Sequence, residues 1–382
     1  MNGVPENIKP LVAAARSACD STIAALAPRT DEEARWPAEA LRALADVGLM
    51  GLNVPARLGG HGQGMVALSL VCETIAGSCA SAAMCYGMHC VASAVIAAKA
   101  TPDQEERYLR PIAAGRHLST LSVSETATGA QFYFPQTKLK HSDEGFLVTG
   151  EKAFVTNGGH ADSYVLSAES SSGAPGDFSC VLVDRDAGMQ WQEPWTGFGM
   201  RGNSSRRMRL DEVLVPHANL LGAEGDQVWY VFEVVAPFFI MAMAGTYLGV
   251  ATAALDATIQ HLRTRTLASG DTLAQSAIVQ QRLAELWIDI QRTRALVHAA
   301  ALAGDNGEPG ALPLILAAKV AAAETSVAAT NGAMTLCGGI AYRDDARLSR
   351  LLRDARAAPV MAPTSDQLRT WTARALLGLP LL

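Results

Sequence analysis

The residues in this chain whose types and spacing could do chemistry fall into three sets. His89 ends the run Met84-Cys85-Tyr86-Gly87-Met88-His89. An imidazole changes charge near neutral pH and can act as acid or base, though a lone histidine in an apolar run serves equally well as a hydrogen-bonded core residue. The second set is two short segments of small residues, Ser122-Val123-Ser124-Glu125 followed by Gly129, and Phe154-Val155-Thr156 followed by Asn157-Gly158-Gly159. Small hydroxyls on strands can donate hydrogen bonds to an electron-rich group without crowding it; by themselves these residues also fit ordinary strands. The third set is seven cysteines, which form no CxxC pair and no His/Cys ligand spacing, so no zinc site is expected. Two carboxylates, Glu233 and Asp366, read as helix-end groups.

The elements that must position these residues follow from periodicity. The chain has 382 residues, 49% of them hydrophobic, enough for a large core in two or three domains. The first 115 or so residues read as helices; Met65 to Ala100 looks like one or two buried ones. Near Arg116 the pattern changes to short β-branched runs, with Asp143-Glu144-Gly145 as a hairpin turn and a last strand from Arg207 to Val215. Helical spacing returns from Gln227 and continues to the end. The expected organisation is a helical domain at 1–115, a β domain at 116–222 and a second helical domain at 223–382. From Val234 to Leu255 no residue is charged, which is long enough to cross a bilayer. Pro237, Gly245 and Gly249 interrupt the run and no Lys or Arg cluster flanks it, so a buried bundle helix is expected instead of a membrane span. A net charge of -6 without a basic run gives no reason to expect nucleic-acid binding. The odd cysteine count and a polar N-terminus lead to an expectation of a reducing, cytoplasmic location.

The helical, β, helical order comes with a series of local matches. They include Trp36-Pro37, Gly48-Leu49-Met50-Gly51, Leu58-Gly59-Gly60-His61-Gly62, the two small-residue segments, Gly199-Met200-Arg201-Gly202, Asp211 to Pro216, Leu336 to Gly339 and Arg353 to Arg356. Together, and in this order, they resemble the acyl-CoA dehydrogenase family over nearly the whole chain. The resemblance implies an α+β fold: an N-terminal α-helical domain, a middle β domain and a C-terminal four-helix bundle. It also implies an FAD cofactor. Ser122, Ser124 and Gly129 would lie in the first flavin segment, with Ser124 on the pyrimidine side. Thr156 would reach N5, and Phe154 would cover the ring where the family commonly has tryptophan. Arg265, the Gly338-Gly339 turn and Thr364 would serve the diphosphate, partly from a neighbouring subunit. The resemblance thus implies a homodimer or homotetramer.

The chain departs from the family where the chemistry is decided. α,β-Dehydrogenation needs a base for the α-proton. The family's C-terminal glutamate corresponds to Ala362, and the alternative position on the long helix to Phe239. Charged substrate contacts on that helix are replaced by Pro237 and Ile240, and the first flavin segment reads Gly129-Ala130-Gln131. His89, on the helix that the resemblance places along the acyl side of the flavin, is then the best candidate for another base, ahead of Glu233 and Asp366. The leading expectation is FAD-dependent oxidation of an acyl thioester, on CoA or a carrier protein, at Cα–Cβ, with an electron-transfer partner or oxygen as acceptor. A flavin monooxygenase, oxidase or desulfinase using His89, and a non-catalytic flavoprotein subunit, are the alternatives.

Overall fold

The structure is a computed structural model, and it describes residues 5–174 and 176–382. The N-terminal part is helical: α1 (Lys9–Ala18), α2 (Ala24–Glu32), α3 (Ala38–Asp46), α4 (Met65–Ala76), α5 (Ala80–Ala98), α6 (Pro102–Gln104) and α7 (Arg110–Ala113). The apolar stretch from Met65 thus forms two helices. Thr101 caps α6 in a reciprocal capping box with Gln104, with Pro102 at the first helical position.

The middle part is an eight-stranded sheet. Its strands are β1 (Ser119–Ser122), β2 (Lys138–Ser142), β3 (Gly145–Val155), β4 (Ser163–Glu169), β5 (Phe178–Asp184), β6 (Gln190–Trp191), β7 (Arg206–Pro216) and β8 (Leu220–Leu221). The order is β6-β7-β3-β2-β4-β5-β8, and β1 lies parallel to β4. The strand candidate at 146–149 and all but Thr156 of that at 153–156 belong to the single long strand β3. Its pairing with β7 is interrupted between Val148 and Gly150 and again between Lys152 and Val155. The second irregularity matters for the site. Phe154 there takes a φ of 55° and Asn157 a φ of 61°, and such bulges re-aim side chains at the end of a strand.

The C-terminal part comprises α8 (Gln227–Trp229), α9 (Ala236–Thr264), α10 (Ala277–Asp305), α11 (Ala311–Cys337), α12 (Arg347–Ala355), α13 (Ala357–Val360) and α14 (Ser365–Leu376). A π-helical stretch, Tyr230–Val235, joins α8 to α9. The glycines in the charge-free run explain themselves. A Cβ on Gly245 would lie 2.1 Å from the Ser69 carbonyl oxygen, and one on Gly249 would lie 2.3 Å from that of Glu73. They let α9 pack directly on the backbone of α4. Three stretches, Ala80–Ala98, Gln227–Thr264 and Ala311–Ile340, are long and apolar enough to cross a membrane. The first two are almost wholly buried within the fold, and more than half of the third is. The long helix α9 packs on α11, α4 and α5, and α5 packs also on α4 and β1, so this apolar surface is taken up within the fold.

Candidate active site

Where the end of the sheet meets α5 and the start of α9, the fold leaves a cavity of about 630 Å³. One wall belongs to the sheet. Leu121 and Val123 face it from the end of β1, followed by Ser124; Phe154, Thr156 and Ser205 face it from the β3–β7 side. Met84 and Met88 from α5, with Val235, Ala236 and Phe239 from the head of α9, form an apolar wall. The floor is the segment Val360–Thr364, between α13 and α14.

The two small-residue segments therefore meet, and local geometry explains how. The Ser124 carbonyl accepts a hydrogen bond from the Ala153 N–H at 2.8 Å, fastening the first segment to β3. The Thr156 and Ser205 hydroxyls lie 3.3 Å apart. Asn157 is buried: its Nδ2 donates to the Cys85 carbonyl at 3.0 Å, and its Oδ1 accepts from Trp36 Nε1 at 2.9 Å. The second segment is thereby tied to both α5 and the residues before α3. At the β3 bulge Phe154 is turned out of the sheet and is 62% exposed, leaving an open aromatic face at the cavity. Gly129 borders the cavity with a φ of +54° and open space where a Cβ would stand. Thr364 borders it too, and its hydroxyl accepts from the Gln367 N–H, capping α14.

Other expected site residues lie elsewhere. Ser122 does not face the cavity. Alternation along β1 turns it inward, with its hydroxyl 4.0 Å from the Met208 sulfur. The structure places His89 away from the cavity, as a core residue and not as an acid or base facing it. It is completely buried and does not line the cavity. Its Nε2 lies 3.0 Å from the Met50 carbonyl, and Nδ1 is 3.1 Å from the Ser119 nitrogen, from which it accepts. These partners require the neutral tautomer with hydrogen on Nε2. Burial pushes the ring's pKa down to about 4, against smaller opposing contributions from those hydrogen bonds. His89 thus clamps α5 to β1 and to the Leu49–Gly51 turn, while Met84 and Met88 carry the cavity face of the same helix. Arg265 and the Gly338-Gly339 turn sit on the surface and do not line the cavity of a single chain.

Ala362 and Phe239 both line the cavity, so the two positions considered for a base are apolar groups in its wall. Among the described residues Glu125 is the one carboxylate at the cavity, and it is fully engaged. Its Oε1 accepts from Lys152 Nζ at 2.6 Å and from the Thr137 hydroxyl at 2.7 Å; its Oε2 accepts from the Gln136 N–H at 2.7 Å. Burial raises this carboxyl's pKa, but Lys152 and the hydrogen bonds outweigh that and hold it below the usual range. The carboxylate closes the loop 126–136 around Gly129 and is not free to take a proton. Motif reading missed Asn203 and Ser205, which line the cavity from just before β7.

An isoalloxazine ring needs a planar slot, an apolar face, and donors where negative charge gathers on reduction. The cavity supplies Phe154, Met84 and Met88 as apolar surface and Ser124, Thr156 and Ser205 as hydroxyls. At the head of α14, beside Thr364, the buried Ser365 Oγ and Gln367 Oε1 have no protein partner and are suited to a polar ligand. Fold and cavity together define a flavin-dependent oxidoreductase. Comparison with known proteins makes this specific. Family models match the acyl-CoA dehydrogenase N-terminal domain over residues 5–116, the middle domain over 120–213 and the C-terminal domain over 239–377. Cyclohexane-1-carbonyl-CoA dehydrogenase of Geobacter metallireducens is 30% identical, with 99% of each chain covered. Cyclohex-1-ene-1-carbonyl-CoA dehydrogenase of the same organism is 29% identical over 92% of this chain and 94% of the relative. The solved butyryl-CoA dehydrogenase of Megasphaera elsdenii superposes with a TM-score of 0.93 at 23% identity, covering 99% of this chain and 100% of that one. A prolyl acyl carrier protein oxidase, AnaB, superposes with a TM-score of 0.87 at 23% identity, again over 99% and 100%. The chain belongs to the acyl-CoA dehydrogenase family and is an FAD-dependent oxidoreductase.

Proposed function

We propose that this protein oxidises the Cα–Cβ bond of an apolar acyl group held as a thioester, on CoA or on a carrier protein. The observation that carries this reading is one cavity in which a hydroxyl-bearing sheet wall faces an apolar wall of Met84, Met88, Phe239 and Met361. When bound, FAD supplies the hydride acceptor. Ser124 and Thr156 would hold its ring by hydrogen bonds, and Phe154 would cover one edge. The methionines and Phe239 would exclude water and accept an acyl chain, thioethers adapting to its shape. Thr364, Ser365 and the amides at the head of α14 would receive polar parts of the cofactor. The test is anaerobic titration of the FAD-loaded protein with saturated acyl thioesters of varied length, on CoA and on carrier protein. Loss of the flavin's visible absorbance with some member is expected; an oxidised flavin across the whole panel refutes the reading.

The absence of a free carboxylate at the cavity, among the described residues, favours a second reading: oxygenase or desulfinase chemistry with oxygen as acceptor. Rapid reoxidation of the reduced protein by oxygen would support it, whereas slow reoxidation with fast transfer to an electron-transferring flavoprotein would favour dehydrogenation. A homodimer or homotetramer is part of the proposal. Ile278, Trp287, Ile288 and Leu302 leave apolar surface exposed on α10, and Arg265 and Gly338-Gly339 are available to a neighbouring subunit. We place the protein in the cytoplasm, where its seven unpaired cysteines would stay reduced.

A further inference from the structure

Lys319 is a lysine with no exposed surface, in the Ala-rich middle of α11. Its ammonium donates to the Met361 carbonyl at 2.7 Å and to the Pro363 carbonyl at 2.6 Å. Those two carbonyls bracket Ala362, and Met361, Ala362, Pro363 and Thr364 all form the floor of the cavity. From α9 the Tyr247 hydroxyl approaches the Met361 sulfur at 3.9 Å. An ammonium buried without an anion is costly, and an apolar side chain of similar length would fill the same space without that cost. Burial alone moves this group, pushing its pKa down to about 7 with no charged neighbour contributing. What the ammonium offers in return is a grip on two carbonyls two residues apart. Such a grip fixes the Met361–Ala362 and Pro363–Thr364 peptide planes, which bracket Ala362 and Pro363, and so restricts the direction of the Ala362 Cβ between them.

We infer that Lys319 is a positioning residue: it pins the Met361–Thr364 floor from behind, so that Met361 and Ala362 present a fixed surface to the flavin and the acyl group. The inference rests on the acyl-thioester reading for its substrate half, but the flavin half stands without it. The competing explanation is a staple between α11 and the α13–α14 connection that serves stability alone. The two differ in what survives when the ammonium is removed. A staple changes the unfolding temperature and leaves each folded, FAD-loaded molecule working as before. A positioning residue changes the flavin's surroundings and the fit of the ligand even in molecules that remain folded.

The experiment compares the wild-type protein, Lys319→Met and Lys319→Arg as full-length, FAD-loaded assemblies. Three quantities are read at a temperature where all are folded: the visible spectrum of bound FAD and its dissociation rate, both without substrate, and the Kd of a non-reactive thioether analogue of an acyl-CoA; KM and kcat come from steady-state turnover. Lys319→Met is expected to shift the flavin spectrum and weaken the analogue at least tenfold, with KM rising more than kcat falls. Lys319→Arg, which keeps the cation, is expected to recover part of both. Wild-type spectrum and affinity in FAD-loaded Lys319→Met overturn the proposal, whatever happens to its unfolding temperature. If Lys319→Met does not assemble, Lys319→Gln, which keeps one donor and sheds the charge, replaces it under the same criteria. Failure of both to assemble with FAD makes Lys319 a folding residue and also overturns the proposal. If the wild-type protein binds no acyl thioester or analogue, the substrate reading fails, and the spectrum and FAD dissociation rate still decide the role of Lys319.

Discussion

Lowering the pH should destabilise the protein through His89, and the amount follows from its surroundings. In the folded chain burial lowers the ring's pKa from 6.5 to about 4. The folded state therefore binds fewer protons than the unfolded one between these values. The stabilisation is complete above pH 6.5 and is lost as the pH falls towards 4. A difference of this size corresponds to about 3 kcal/mol in the limit, and to about 2 kcal/mol at pH 5 relative to pH 8. Asp354 works in the opposite sense. Burial raises its pKa from 3.8 to about 6, despite a hydrogen bond from the Met200 N–H. It is stabilising below pH 3.8 and loses that contribution as the pH rises through 6. The two slopes oppose each other between pH 4 and 6, so the wild-type profile alone would hide both. The assay is therefore a comparison of unfolding for wild type and His89→Gln, each FAD-loaded, at pH 8 and pH 5. Glutamine retains a donor and an acceptor but cannot titrate. The wild type should lose about 2 kcal/mol more than the variant on acidification. Parallel losses would show that His89 is not held neutral. A fall of a hundredfold or more in flavin reduction by the variant, with FAD content intact, would restore His89 to the chemistry and refute its assignment as a clamp.

Three further substitutions probe the supports of the site. Lys152→Met leaves the Glu125 carboxylate buried without its cation and should cost about 3–5 kcal/mol; a Lys152→Met, Glu125→Leu double variant should unfold at a higher temperature than the single one. Gly249→Ala drives a methyl group to 2.3 Å from the Glu73 carbonyl oxygen, forcing α9 from α4. A loss of about 1–3 kcal/mol, measured by thermal unfolding, is expected. Ala362→Glu places a carboxylate in the cavity floor and should speed flavin reduction by a bound acyl thioester at least tenfold, as read in anaerobic stopped flow.

The parts of this molecule that could be read from its sequence are those whose partners are close in the chain or follow a period. The order of helices and strands follows from spacing, whereas the meeting of Ser124 with Phe154 and Thr156 is implied by the family resemblance and not by the residues alone. Facing was harder. Ser122 and Ser124 stand two apart and suggest one face, yet β1 ends between them; Leu121 and Val123 take the cavity side along with Ser124. On α5 every residue from Met84 to His89 is buried, so no amphipathic stripe marks which of them borders the cavity. Only the contacts with Met50 and Ser119 reveal that His89 turns away. Lys319 left no signal because its partners are backbone carbonyls 42 and 44 residues further along the chain. In the sequence Gly245 and Gly249 interrupt an apolar run; in the fold they are points at which α9 touches α4.

We propose that this flavoprotein oxidises an acyl thioester in a cavity whose single carboxylate, among the described residues, is engaged by Lys152 and Thr137. The most direct test is anaerobic reduction of the FAD-loaded wild-type protein by a panel of saturated acyl thioesters on CoA and on carrier protein, followed by the flavin's visible absorbance. At least one member should bleach the flavin and yield the α,β-unsaturated thioester in equal amount. A flavin that stays oxidised with every member, in a protein that holds FAD and is reduced normally by dithionite, would contradict it.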